Sequence, residues 1–278
     1  SYDIVRADSI VEAQIGDTTY KTLAEAIAAA KDGDTVVLLR SVSVDGEGIV
    51  VSGKAITLDL GGKKLTASGC SAVTVTGASA TVRGGTIEVS AGSDTYAVTV
   101  GASGSLSTES VTVIGHGASG VLVNGGSYVK RLTNIQATDG FGIRVVNGGS
   151  ASHEGGMVVA NYGVFVAGNG SRFNMNGGDI SAAGFGITGN GLAANGGTTI
   201  NISGGSVSST DSIAVYHPQA GTLTVSGGSL SGTYGGIGIK SGTLTVTGGT
   251  IAGTSGGAYV DGESNGNGIN VSGSAIHV

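Results

Sequence analysis

Short segments in which apolar residues alternate with Thr, Ser or Asn recur along the chain. The best-preserved copies are residues 200–203, 223–226 and 244–247. A period of two is the pattern of a β-strand with one buried face. It predicts that Val225 points inward between Ile202 and Val246, whereas Thr224 points toward solvent.

A second alternating segment follows each of these strands, for example at residues 142–145, 163–166 and 236–239. The intervening residues are mainly Gly, Ser, Asn and Asp, which turn a chain sharply or accept a positive φ. The sequence therefore predicts two strands in each structural repeat.

A Gly-Gly step marks the repeat. Its second residue falls at Gly156, Gly178, Gly205, Gly228 and Gly249, at spacings of 21 to 27 residues. A period in this range indicates stacked repeats that bury one continuous core. We expect an all-β fold, a single right-handed parallel β-helix (solenoid) of about ten coils with parallel strands in each sheet.

The first part of the chain differs. Apolar residues at Leu23, Ala26, Ile27 and Ala30 have a helical period. Thr22 with Glu25 forms a capping-box pattern and Gly33 is expected to end the helix. We interpret residues 1–40 as a lead-in, a capping helix and the first strand, and residues 41–278 as β-helix coils of one continuous domain. The helix would cover the open end of the core.

The segment from Tyr20 to Ile27, followed by residues 32–38, resembles the N-terminal cap and first strand of the right-handed parallel β-helix, or pectin-lyase-like, superfamily. The coils that follow are similar to repeat regions of large secreted or wall-attached bacterial surface proteins. The resemblance implies an extracellular or cell-surface location in bacteria. The resemblance does not indicate an activity, because the same cap precedes both polysaccharide-cleaving enzymes and inert stalks.

Composition excludes several classes of protein. The 55 glycines do not fall at every third residue and there is one proline, so the chain is not collagen-like. Its net charge is -6 and its 13 basic residues are scattered, so we expect no nucleic-acid partner. No apolar segment approaches the roughly 20 residues of a membrane span. Cys70 is the only cysteine and the four histidines lie far apart, so we expect no disulfide framework, metal site or cofactor.

Polysaccharide-cleaving enzymes of the superfamily carry paired aspartates, a Gly-His-Gly segment and nearby basic residues. His116 stands between two glycines, and Asp139 follows it, but the order is reversed and no Asp-Asp pair occurs. If the protein is a polysaccharide lyase or glycoside hydrolase, the candidate catalytic residues are Asp139, Arg144, His116 and Glu154. His153 aligns with inward residues, which predicts a hydrogen-bonded histidine in the core. The pattern favours a non-enzymatic protein.

One face has an unusual set of side chains. Successive outward positions of the second strand hold Leu122, Arg144 and Phe165, and the same row continues through Gly186, Ala214 and Gly238. Phe141 and Tyr162 are predicted to be neighbours at one corner. Aromatic residues beside a cation could bind a host or cell-wall glycan. The alternative is that these side chains only stabilise the rod.

Two further expectations concern the outer surface. The first-strand positions Arg83, Glu109, Arg131 and Glu154 alternate in charge, which favours attraction between coils. The final residues, 269–278, still follow the strand pattern, so we expect further domains or C-terminal end-to-end self-association. Together these features indicate a β-helical stalk or adhesive module.

Overall fold

The computed structural model describes residues 10–190, 197–253, 263–264 and 269–271. Strands make up 61% of the structure and helix 3%, and the strands wind into a parallel β-solenoid of about nine turns. The predicted all-β solenoid is therefore confirmed.

Each coil contributes one strand to each of three parallel sheets, which we name sheets A, B and C in the order in which the chain passes through them. Sheet A contains Thr35–Leu38, Ala55–Asp59, the first parts of Ser79–Ser90 and Ser105–His116, Ser127–Arg131, Ser150–His153, Arg172–Met175, Thr198–Ile202, Gly221–Val225 and Thr243–Val246. Sheet B contains Val42–Val44, Lys64–Ser68, the second parts of Ser79–Ser90 and Ser105–His116, the first parts of Asn134–Val146 and Met157–Val166, Asp179–Ala182, Ser206–Ser209, Ser229–Gly232 and Thr250–Gly253. Sheet C contains Ile49–Ser52, Val73–Thr76, Tyr96–Val100, Ser119–Asn124, the second parts of Asn134–Val146 and Met157–Val166, Ile187–Gly189, Ile213–His217, Gly235–Ile239 and Ile269–Val271.

The prediction of two strands per repeat is wrong, because it missed sheet B. The strands of sheet B follow the Gly-Gly step, and most of those in the later coils bury one large aliphatic side chain each. Ile180, Val207 and Leu230 are these residues. A single large apolar residue flanked by small polar residues is too weak a signal for a period of two.

The core consists of stacked aliphatic side chains. Ile200, Leu223 and Leu244 occupy equivalent positions in consecutive coils and are fully buried. Neighbouring strands in a sheet lie about 4.8 Å apart, so each such side chain packs between its equivalents above and below. The core is consequently continuous along the rod.

Glycine forms the corner between sheets A and B in the later coils, whereas Ser110 and Leu132 turn the same corner with φ of 54° and 45° in two earlier coils. Gly178, Gly205 and Gly228 have φ of 76°, 82° and 88°, a region that other residues adopt at a cost. A Cβ at Gly205 would also overlap the carbonyl oxygen of Gly178 in the preceding coil. The glycine step therefore permits both the turn and the close stacking of turns.

The N-terminal end is covered by a helix, Leu23–Ala29, with both hydrogen bonds of the predicted capping box between Thr22 and Glu25. Leu23, Ala26 and Ile27 are buried, as is Ala30. The helix ends at Ala29, earlier than the predicted Gly33. The Lys54 Nζ donates to the carbonyl oxygens of Ile27 and Ala30, at 2.6 and 3.0 Å. It thereby supplies hydrogen bonds to carbonyl groups at the C-terminal end of the helix.

A β-hairpin completes this cap. Its two strands are Ala13–Ile15 and Thr18–Tyr20, and the first also pairs antiparallel with Thr35–Leu38, the first strand of sheet A. The free edge of that strand is therefore occupied. At the other end, Glu263–Ser264 pairs antiparallel with Ile269–Val271. Residues 272–278, which belong to the predicted self-association segment, lie outside the described residues.

We predict that Val225→Asp destabilises the fold by about 3 kcal/mol or more, because it buries a carboxylate without a partner. Val225 is fully buried, whereas Thr224 is only partly buried on the outer face. Thr224→Asp is the matched control and should melt close to wild type. Equal melting temperatures for the two variants would contradict the assigned orientation.

We predict different costs for alanine at two glycines that both hold the second position of a Gly-Gly step. Gly62 has φ of 74° and no atom within 4 Å of the position that a Cβ would take, so Gly62→Ala should cost only the backbone strain, about 1 kcal/mol. Gly205→Ala adds overlap with the neighbouring turn and should cost about 2 kcal/mol more. Chemical denaturation of both variants measures the difference, and equal costs would remove the steric explanation.

Candidate functional site

The predicted aromatic cluster lies on the outer surface of sheet C and the adjoining corner with sheet B. The rings of Phe141 and Tyr162 have centroids 5.5 Å apart, and those of Phe141 and Phe165 are 5.3 Å apart. The predicted neighbours at this corner are thus confirmed. All three side chains are half-buried.

Two further rings extend the cluster along the rod. Phe185 stacks on Tyr162 with centroids 6.4 Å apart and on Tyr216 at 5.0 Å. Sequence reasoning missed both residues. The signal for Phe185 was available, since it precedes Gly186 as Phe141 precedes Gly142 and Tyr162 precedes Gly163.

Tyr216 was missed because the prediction assigned Ala214 to the outward row of sheet C in this coil. The observed outward residue lies two positions later. The observed pairing places Phe165 beside Thr188, and Tyr216 beside Gly238. The predicted row members Gly186 and Ala214 are instead buried. A Cβ at Gly186 would overlap the Val207 side chain, so this inward position requires a small residue.

Three other residues hold Arg144 in place, one from its own strand and two from other coils. Its guanidinium carbon lies 5.6 Å from the centroid of the Phe141 ring and 5.4 Å from that of Phe165, a cation-π arrangement. The Arg144 Nη1 also donates to the Tyr96 hydroxyl oxygen at 3.1 Å. Among the described residues, no group accepts a hydrogen bond from its buried Nε.

A shallow depression of about 330 Å³ adjoins this arginine. It is lined by Arg144, Val146, Asn147, Phe165, Ala167, Gly168 and Asn190. The depression therefore combines a fixed cation, an aromatic ring and side-chain amides. Leu122 is half-buried beside Arg144 in the outward row and does not line the depression.

The other aromatic rings mostly face one another. Phe185 lies between Tyr162 and Tyr216, with interplanar angles of 28° and 19°. Their flat surfaces are consequently engaged along the rod axis. A ligand would reach the edges of these rings, whereas Phe165 and Arg144 border the open depression.

The four candidate catalytic residues do not form one constellation. His116, on sheet B, lies 2.7 Å from a Glu88 carboxylate oxygen through its Nε2, and hydrogen bonds from Lys64 and then His116 lower the pKa of the Glu88 carboxyl. Asp139 is exposed within the strand Asn134–Val146. Within the described residues, no hydrogen bond or ion pair joins any two of the four.

Glu154, the fourth candidate, belongs to a row of ion pairs on the outer surface where sheet A ends. Arg131 lies 3.0 Å from Glu154 and 3.7 Å from Glu109, and Arg83 lies 2.9 Å from Asp59. The predicted alternation of charge between coils is confirmed. Glu154 therefore has an interaction that accounts for its position without catalysis.

The described part of the chain contains no group of three or more His, Cys, Asp and Glu side chains placed to hold a metal ion. It also contains no helix with the length and apolar character needed to cross a membrane. Comparison with protein-family models, curated protein sequences and solved structures finds no match for the chain. The site must therefore be interpreted from its own geometry.

We predict that Tyr96→Phe lowers the free energy of unfolding by about 1 to 2 kcal/mol, because it removes a hydrogen bond to a charged, half-buried guanidinium. Tyr162→Phe is the control, since no described hydrogen bond involves the Tyr162 hydroxyl. A double-mutant cycle with Arg144→Met isolates the interaction. Additive effects of Tyr96→Phe and Arg144→Met would show that the two side chains are not coupled.

Proposed function

We propose that this protein is a non-enzymatic β-helical module of a bacterial surface or secreted protein, and that it binds glycan in the depression beside Arg144 and Phe165. The module acts as a rigid spacer that presents this site on its side. The proposal rests above all on one observation, the arginine held between two aromatic rings at the edge of an open depression.

The role as a spacer is supported by how the coils are joined. Equivalent strands pair in register along all three sheets, and one hydrophobic core runs through them, with a row of polar side chains at Thr108, Lys130 and His153. A solenoid of this kind is held by contacts between neighbouring coils, so its length follows from the number of repeats. Such a rod is suited to holding a binding site away from its point of attachment.

Glycan binding is supported by the chemistry of the depression. A sugar presents hydroxyl groups at its rim and C–H groups on its faces, and it is recognised by fixed polar groups beside an aromatic ring. Arg144 supplies donors whose position is already set by Phe141, Phe165 and Tyr96. Asn147, whose amide nitrogen donates to Asn124 at 2.7 Å, adds a second oriented polar group. Groups fixed before binding lose little entropy when a ligand arrives.

An extracellular or cell-surface location in bacteria is part of the proposal. It is supported by the resemblance of the N-terminal cap and coils to the pectin-lyase-like superfamily and to bacterial surface repeats. The ligand would then be a host glycan or a cell-wall glycan.

The experiment is a binding screen of the folded protein against immobilised neutral and acidic glycans, followed by calorimetry on any ligand found. Phe165→Ala should weaken binding by about 1 to 2 kcal/mol, and Phe165→Ala combined with Arg144→Ala should abolish it. Asn201→Ala, on the outer surface of sheet A, is the control and should bind as wild type. Circular dichroism and melting temperature establish that each variant is folded.

Two outcomes would overturn the proposal. Full binding by the folded double variant would place the site elsewhere on the molecule. Formation of unsaturated or reducing-end products from a bound polysaccharide, lost in Asp139→Asn, would identify the protein as a lyase or hydrolase instead.

A further inference from the structure

Three consecutive coils have polar residues at one inward position of sheet A. Thr108, Lys130 and His153 pair in register, and each is fully buried. The same row continues with Met175 and then Ile202, as in an ordinary aliphatic core. The buried histidine confirms the prediction from sequence, whereas the buried lysine was not predicted.

The lysine and the histidine form a short hydrogen-bonded chain inside the solenoid. Lys130 Nζ donates to the carbonyl oxygen of Gly155 at 2.6 Å and lies 3.3 Å from His153 Nδ1. His153 Nε2 lies 3.3 Å from the carbonyl oxygen of Asp179. When a protonated Lys130 donates to Nδ1, His153 can donate to the Asp179 carbonyl oxygen only through Nε2, which requires a neutral imidazole.

The charged groups around this pair compensate only in part for a second proton. Tyr128, another titratable side chain on the inward face of sheet A, is neutral and its hydroxyl bonds Thr108 at 2.8 Å. Asp179 presents its carboxylate to solvent from sheet B, and its negative charge raises the pKa of both Lys130 and His153, although burial lowers both by more. Arg131, Glu154 and Arg172 lie on the outer surface. In the described part of the chain, no carboxylate forms an ion pair with Lys130. A protonated His153 would therefore place two cations side by side in the core.

We propose that Lys130 and His153 make the coils around them an acid-sensitive segment, which opens locally when His153 is protonated while the aliphatic coils beyond remain closed. The segment comprises the sheet A strands Ser127–Arg131, Ser150–His153 and Arg172–Met175 with the corner toward sheet B that follows each of them. Acidification would thus loosen the middle of the rod and not its whole length.

The direction of the titrations agrees with this geometry. Burial lowers the pKa of Lys130 to about 7, and burial together with the charge of Lys130 lowers the pKa of His153 to about 4. In the opened segment both groups return toward their ordinary values, so opening takes up protons. Stability contributed by the neutral lysine is lost as the pH falls from about 10.5 to 7, and that contributed by the neutral histidine is lost as it falls from about 6.5 to 4.

Hydrogen exchange measured by mass spectrometry at pH about 7 and about 4.5 tests the proposal. After correction for intrinsic exchange rates, the opening equilibrium of the segment should rise about a hundredfold on acidification, because each pH unit below 6.5 favours opening about tenfold. Peptides from Gly221–Val225, where the same row is aliphatic, should change far less. His153→Met, which copies Met175, should abolish the acid response, and His116→Asn on the outer surface should leave it intact.

Equal acid sensitivity in wild type and His153→Met, or uniform loosening of every coil, would overturn the proposal. If His153→Met does not fold, an NMR titration of the wild-type imidazole decides the question. A His153 pKa near 4 with loss of protection in the segment supports the proposal, and a value near 6.5 contradicts it.

Discussion

In-register parallel pairing between equivalent strands is the constraint on which the rest of the structure depends. It sets the distance between coils at about 4.8 Å and places every side chain between its counterparts in the coils before and after. The aliphatic core, the turn glycines and the outer rows of charges and rings all follow from it. Gly205 illustrates the point, because the carbonyl group of the preceding turn fills the space that a Cβ would need.

The candidate site is built from the same stacking and cannot be assigned to one coil. Arg144 depends on Phe141 in its own coil, on Phe165 in the next, and on Tyr96 two coils earlier. Tyr96 can reach so far because the intervening corner residue is Ser119, whose side chain is small. The depression is therefore a property of at least four consecutive coils, and its geometry is as rigid as their pairing.

The sequence predicted the features that follow from a local or strongly repeated pattern. It missed those that depend on packing against adjacent coils. The glycine step, the inward position of Val225, the capping box at Thr22 and the contact between Phe141 and Tyr162 follow from local pattern, and the structure has all of them. Sheet B was missed because most of its later strands carry one large apolar residue each, and Tyr216 because the outward position in its coil lies two residues beyond the predicted one. The burial of Lys130 was also missed, because its inward direction opposes the usual preference of lysine for solvent.

The ion-pair row on the outer surface has a consequence for how this rod could change in length. Its order is Asp59, Arg83, Glu109, Arg131 and Glu154, so every coil is matched to neighbours of opposite sign. Loss or duplication of a single coil in this region would bring two like charges together, whereas loss or duplication of two coils would keep the alternation. The alternation of charge therefore favours insertion or deletion of coils in pairs in this part of the solenoid.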